Sequence, residues 1–338
     1  MNILYIIGNG FDLAQGLKTR YADFYPYYQK CPSPNEAAKL MKKEINEHAG
    51  DWSDMELALG KFTKEVPSEE ELTDMYFDLS ERLSEYLTEE SQRKAFTHNN
   101  KVLMDFFEPS RYLEPLDQRY YRAHFNTYYD RDKRYTQVNI ISLNYTNTLE
   151  SLLGPAAKRG ASIGNGFYRV DNICHRHGML GDTILLGVND EQQILNESFK
   201  NSQSTKNFLV KPMAIDAMRS DNDVICKEMI QSANIIGLFG VSLGETDANL
   251  WKDVVDHLSQ SDTLLLYFHH TKDIIPQNKK QLLGVKESQA RDYLYERMGL
   301  PEHLQSKTKI LIGYNKDIFK VEDKKVTSQS GKFEDQYS

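Results

Sequence analysis

The first ten residues constrain this chain more than any other stretch. Asn2-Ile-Leu-Tyr-Ile-Ile7 is an unbroken apolar, largely β-branched run that stops abruptly at Gly8-Asn9-Gly10. A strand that is apolar at every position, not at every second one, is covered on both faces. Such strands belong to parallel sheets lying between layers of helix. Glycine directly after the strand allows a tight turn into a helix and lets backbone N–H groups approach an anion, to which the helix dipole adds. The turn therefore predicts a βα unit able to receive phosphates, with a purely structural turn as the competing reading. Two features depart from a standard dehydrogenase: the glycines do not keep GxGxxG spacing, and no second strand ends in an acidic residue to hold a ribose. Asp12 also sets a carboxylate near the expected phosphates, so it must turn away or cap the helix.

Short apolar runs recur at 138–143, 183–186, 234–239, 263–268 and 309–312, with helical patterns between several of them, as at 247–259. The alternation predicts an α/β fold with a Rossmann-like, doubly wound, mostly parallel sheet. Residues 31–134 read differently. Met55, Leu57, Leu59 and Phe62, then Leu72, Met75, Tyr76, Leu79, Leu83 and Leu87, recur at helical spacing among many Glu and Lys. They predict a large helical insertion between the first and second strands, placed to roof the ligand crevice. The expected division is 1–30 plus 135–319 for a nucleotide-binding domain, 31–134 for an inserted helical subdomain, and 320–338 for a flexible polar tail. Tyrosine clusters at Tyr21, Tyr25, Tyr27 and Tyr28, and at Tyr120, Tyr121, Tyr128 and Tyr129, fit half-buried helix faces better than base stacking.

Composition narrows the function classes. The formal net charge of −8 speaks against nucleic acid as a general partner. Cys31, Cys174 and Cys226 are scattered and form no CxxC, which speaks against a disulfide framework or zinc knuckle and fits a reducing cytosol. No run approaches the ~20 apolar residues that span a bilayer, so no membrane is expected.

Four further constellations carry chemistry. Ser142-Leu-Asn144-Tyr-Thr146-Asn147 ends a predicted strand, where ligands of open α/β sheets bind; helix capping is the plain alternative. His175-Arg176-His177-Gly178 offers two histidines on one strand face, but spacing supplies no third metal ligand, so a single hydrogen-bonding or general-base histidine is preferred. Gly240-Val-Ser242-Leu-Gly244 matches a nucleophile elbow, which needs a downstream acid and histidine; Asp292 and His303 are the only conceivable pair. Trp52-Ser-Asp54-Met-Glu56 puts two carboxylates on different faces of a helix start, and reads as a cap with dipole-friendly acids.

In order, IIGNGFDLAQGLKTRYADF, WSDME, ISLNYTNTLE, HRHG, LGVND and GVSLGETD resemble the bacteriophage abortive-infection AbiH family over most of residues 1–250. The same order is similar to the sirtuin-like NAD-binding superfamily. The resemblance implies that Gly8, Gly10 and Gly16 cradle a pyrophosphate, with Asn9, Phe11, Asp12 and Asp23 of the same motif among the cofactor-binding residues. It implies that Asn144 orients a water at the nicotinamide ribose, that His177 is the general base, and that Gly240 and Ser242 form the adenosine-side turn. The zinc-binding cysteine pairs of deacylating sirtuins are missing, so neither a metal nor protein deacylation is implied. On this resemblance the chain is expected to be a cytoplasmic, bacterial antiphage protein that binds NAD and hydrolyses its nicotinamide N-glycosidic bond. A phage-derived trigger protein and a homo-oligomer are compatible with this. The alternatives are a non-catalytic nucleotide-binding sensor or interaction protein of a defence system, and a GxSxG serine hydrolase.

Overall fold

A computed structural model describes residues 1–129, 134–273, 275–276 and 279–321. Of the polar tail expected at 320–338, only Lys320 and Val321 fall within the described residues.

The apolar run at the N-terminus forms β1 (Asn2–Ile7), buried from Ile3 onward. In chain order it is followed by β2 (Tyr135–Ser142), β3 (Ala161–Ile163), β4 (Gly166–His175), β5 (Ile235–Phe239), β6 (Leu264–His269) and β7 (Ile310–Tyr314). They make one seven-stranded sheet in the order β3-β4-β2-β1-β5-β6-β7. Every neighbouring pair is parallel except β3 with β4. The chain thus starts in the middle, winds outward through β2 and β4, returns to β1's other side at β5, and winds outward again. The direction of winding reverses between β1 and β5.

Between β1 and β2 lie α1 (Gly10–Ala14), α2 (Tyr21–Tyr28), α3 (Glu36–Glu47), α4 (Met55–Phe62), α5 (Glu69–Arg93), α6 (Asn100–Phe107) and α7 (Pro115–Tyr128). The remaining helices are α8 (Thr148–Arg159), α9 (Glu197–Asn201), α10 (Gln203–Leu209), α11 (Lys211–Ala217), α12 (Asn222–Gln231), α13 (Ala248–Gln260) and α14 (Lys280–Met298).

Alternate residues of β1 face opposite layers, as the pleat requires. Ile3, Tyr5 and Ile7 pack with Phe106 of α6, Tyr121 of α7 and Leu152 of α8. Leu4 and Ile6 pack with Ile230 of α12, Val254 of α13 and Leu294 of α14. A third core joins α2, α3, α4 and α5 to the segment 184–210. The stretch 31–134 therefore divides: α3 to α5 build the third core, together with α2, while α6 and α7 belong to the sheet's own covering layer. The α5 pattern is regular, with Leu72, Met75, Tyr76, Leu79, Leu83 and Leu87 all buried, and Ser68 caps its start by accepting from Glu71 N.

Two elements differ from expectation. The apolar run at 183–186 is not a strand. Ile184 and Leu186 instead fill the third core, and the Leu186 carbonyl accepts from the Tyr76 hydroxyl at 2.9 Å, not from a neighbouring strand. The β3–β4 hairpin carries little sequence signal, because GFYRVDNICH mixes polar and apolar residues and only Gly166, Val170 and Cys174 are buried. Among the described residues, no helix is long and apolar enough to cross a membrane.

Candidate functional site

Because the central strands run parallel, the residues following β1, β2, β4 and β5 emerge on one edge of the sheet. In open α/β sheets, ligands bind beyond those carboxyl ends, where the winding reverses. A cavity of about 420 Å³ lies there. Its floor is Gly8, Asn9 and Asp12 after β1, Leu143 to Thr146 after β2, His177 after β4, and Gly240 to Ser242 after β5. The third core supplies the roof: Thr19 to Ala22 before and at the start of α2, Ser53, Asp54 and Glu56 around the start of α4, and Leu83 and Leu87 of α5.

The sequence-predicted residues separate into two groups. Gly8, Asn9, Asp12, Asn144, His177, Gly240 and Ser242 line the cavity; Gly10, Phe11, Gly16 and Asp23 are not in its wall. Phe11 is fully buried in the sheet core against Phe239 and Phe319. Asp23 closes a cap with Arg20 at the start of α2. Gly16 lies beside Lys94 with φ of +80°. The Gly8 amide donates to the Phe239 carbonyl at 3.0 Å and the Gly10 amide to the Gly240 carbonyl at 2.9 Å. Those two N–H groups hold the first turn against the turn after β5. Asn9 clamps the roof instead: its Nδ2 donates to the Thr19 carbonyl at 3.0 Å, and the Thr19 hydroxyl donates back to its Oδ1 at 2.5 Å.

Asp12 lines the cavity with Gly8 and Asn9. Its Oδ2 accepts from the Thr146 hydroxyl at 2.6 Å, while Oδ1 is buried without a hydrogen-bond partner among the described residues. Burial pushes the carboxyl up to about 6, against the lowering effect of Thr146 and Thr148. Asn144 is fixed through its backbone, whose carbonyl meets His175 Nδ1 at 2.9 Å and whose amide donates to Ser142 Oγ. Among the described residues none bonds to its side-chain amide, which is left for a ligand or water.

The two histidines go separate ways. His175 Nε2 pairs with Glu150 at 2.6 Å, and this carboxylate outweighs burial to raise the imidazole's pKa. His177 reaches the cavity, and its Nε2 lies 2.9 Å from Asp247 Oδ1 but outside good hydrogen-bond geometry. Burial, with the Lys211 ammonium adding, pushes His177 down to about 4, so it is neutral at physiological pH. The pair (His175, His177) therefore faces no common metal position.

Behind the wall sits a buried ionic cluster that sequence reasoning passed over. Lys211 Nζ, fully buried on α11, donates to Glu56 Oε2 at 2.8 Å and lies 3.5 Å from Asp247 Oδ1. Arg176 also reaches Asp247, at 3.2 Å, and continues to Asp223 at 2.9 Å. Burial opposes ionisation of Asp247, but the Lys211 ammonium, then the neighbouring His177 and Arg176, hold it well below the usual carboxylate range. Glu56 behaves oppositely: burial outweighs Lys211 and pushes it up to about 7. Glu56 and Asp247 lay within the WSDME and GVSLGETD stretches, whereas Lys211 carried no signal at all. Asp54 does cap α4, accepting from Leu57 N at 3.1 Å, as read from sequence. Glu56, two residues on, faces the cavity and not solvent.

The Ser242 elbow has no downstream histidine in this wall. His269 Nδ1 pairs with the Tyr267 hydroxyl, and neither His269 nor His303 lines the cavity.

The fold and this wall define an α/β protein with a mostly parallel seven-stranded sheet, whose cavity is rich in carboxyl groups and roofed by an inserted helical core. The chain belongs to the bacteriophage abortive infection AbiH family, whose family model matches residues 4–269, and abortive-infection defence is the function class this supports. The matched span contains every cavity residue named above. Among curated proteins none matches the chain.

Proposed function

We propose that the protein is an abortive-infection effector that binds NAD in this cavity and hydrolyses the bond between nicotinamide and ribose. The observation that carries the reading is that the free Asn144 amide, the His177–Asp247 pair and Glu56 all line this cavity at the point of strand-order reversal. Counting only parallel strands, the order is 3-2-1-4-5-6, that of doubly wound dinucleotide-binding sheets, which supports the Rossmann-like reading.

The acid-rich wall bears on the orientation of the ligand. Asp12, Asp54, Glu56 and Asp247 line the cavity, and Arg20 is the only Lys or Arg among the lining residues. Phosphates are repelled from such a wall, whereas the positively charged nicotinamide ring and an oxocarbenium-like ribosyl centre are stabilised by it. The nicotinamide riboside end therefore enters, with the pyrophosphate toward Arg20. In the reaction, water oxygen bonds to the anomeric carbon. The carbon–nitrogen bond breaks with its electron pair going to the ring, and nicotinamide leaves neutral. One water proton is lost to the protein or solvent, leaving ADP-ribose. Asn144 positions the water, and neutral His177 presents its ring to the sugar.

Incubation of the full chain with NAD, followed by chromatography of nicotinamide and ADP-ribose, tests this. Wild type is expected to release both in equal amounts, and Asn144→Ala to lose at least ~100-fold in kcat. An intact NAD pool with wild type, alone and with infected-cell extract, removes the glycohydrolase reading and leaves the nucleotide sensor.

A further inference from the structure

We infer that the helical roof supplies the proton acceptor of the reaction: Glu56, held over the cavity by Lys211, takes the proton from the attacking water. The assignment rests on the glycohydrolase reading above and specifies which residue of that site moves the proton.

The geometry eliminates the other candidates on the wall in turn. His177 is buried beside Asp247, a carboxylate already shared by two cations, Lys211 and Arg176. A proton placed on its ring would add a third positive charge to a buried cluster, which disfavours it as an acceptor. Asp247 lies between two cations, 3.2 Å from Arg176 and 3.5 Å from Lys211, and their charges hold it ionised and resist its protonation. Asp54 is the N-cap of α4, with Oδ1 accepting from Leu57 N. Asp12 is bound to Thr146 on the floor and is two residues beyond Gly10, at the foot of the first turn.

Glu56 differs from all four. It alone of the five pairs with a single cation, Lys211 at 2.8 Å; it lines the cavity from α4, is almost fully buried, and has a long contact of 3.4 Å from Gly187 N on its other oxygen. Its titration is set by groups on several packed elements. Burial raises it most; Lys211 favours the carboxylate, while Asp247 and Asp54 oppose it. Tyr21, Tyr76 and Tyr145 from the roof and floor are neutral phenols whose own ionisation Glu56 suppresses. Burial then brings the carboxyl to about 7, where a general base is both available and strong enough. When Glu56 takes the proton, Lys211 keeps Asp247 as its counter-ion, so the cluster loses no necessary pairing. The electron balance is that of the hydrolysis above, with the water proton now on Glu56 Oε and later returned to solvent.

The roof helix is thus part of the catalytic centre and not only a cover. The test compares wild type, Glu56→Gln and Glu56→Asp as full chains, with thermal melts to verify folding. Glu56→Gln is expected to lower kcat for NAD by at least ~100-fold, to leave ADP-ribose binding within about threefold, and to abolish the acidic limb of the kcat–pH profile. Glu56→Asp is expected to recover part of the rate and the limb. If Glu56→Gln fails to fold, the Glu56→Gln/Lys211→Met pair, which removes both charges, serves in its place with the same expectation. Wild type hydrolysing NAD beside a folded Glu56 variant of equal rate and pH profile overturns this assignment alone. Wild type leaving NAD intact overturns the glycohydrolase reading and the assignment with it.

Discussion

Gly10 and Gly240 meet main chain to main chain. The Gly10 amide donates to the Gly240 carbonyl at 2.9 Å, and a Cβ on Gly10 would stand 2.4 Å from the Gly240 Cα. A Cβ on Gly240 would in turn lie 2.6 Å from the Gly10 Cα, at a φ of +67° that L side chains rarely adopt. The turns after β1 and β5 are therefore locked together where the strand order reverses, and this contact sets the floor of the cavity.

Gly10→Ala and Gly240→Ala are each expected to cost about 3 kcal/mol or more, because backbone and not a flexible side chain would have to move. Urea denaturation should show the loss in both. A midpoint unchanged in either variant would contradict the close approach.

Removing Lys211 should be among the most damaging single changes. Lys211→Met leaves Glu56 and Asp247 buried beside each other with their shared cation gone, an expected loss of about 3–5 kcal/mol. Adding Glu56→Gln should restore part of it, so the double variant is expected to lose clearly less than the sum of the two single changes. Strict additivity would mean that the two side chains do not interact.

Asp12 carries a pH signature. Its folded-state pKa, about 6, lies above the unfolded value near 3.8, so its contribution to stability is full below about pH 3.8 and is lost as pH rises through 6. At about pH 8 the carboxylate is ionised in a buried site, at a penalty of up to about 3 kcal/mol. Asp12→Asn should keep the Thr146 hydrogen bond and gain stability relative to wild type as pH rises from about 4 to about 6. Parallel unfolding curves for the two proteins across that range would refute the assignment.

Phe319 closes the sheet's first core from the end of the described chain. Fully buried, it packs 4.2 Å from the Phe106 ring centre and within 5.1 to 6.1 Å of Phe239, Tyr5 and Phe11. Phe319→Ala is expected to cost about 3–5 kcal/mol. A melting temperature that barely moves would show that the ring is not packed as described.

Local pattern sufficed for some of this protein and not for the rest. The unbroken apolar run of β1, the glycine stop behind it and the helical rhythm of α5 are properties of neighbouring residues, and each can be read from a short window of sequence. The segments ISLNYTNTLE and GVSLGETD could also be recognised as strand ends, because each follows a short apolar run, whereas the strand before HRHG could not. Which side chains then face one another depends on packing between distant segments. Glu56 looked like part of a helix start because its partner Lys211 lies 155 positions away, and only the docking of the helical roof onto the sheet brings them to 2.8 Å. The same docking leaves the run at 183–186 unpaired as a strand and turns it into core. The sequence alone determined the βα frame and the edge where a ligand belongs, since those follow from periodicity and strand direction. The buried ionic cluster, the neutral state of His177 and the elevated carboxyl of Glu56 were decided by tertiary structure, because desolvation and charge pairing exist only once the two layers have closed.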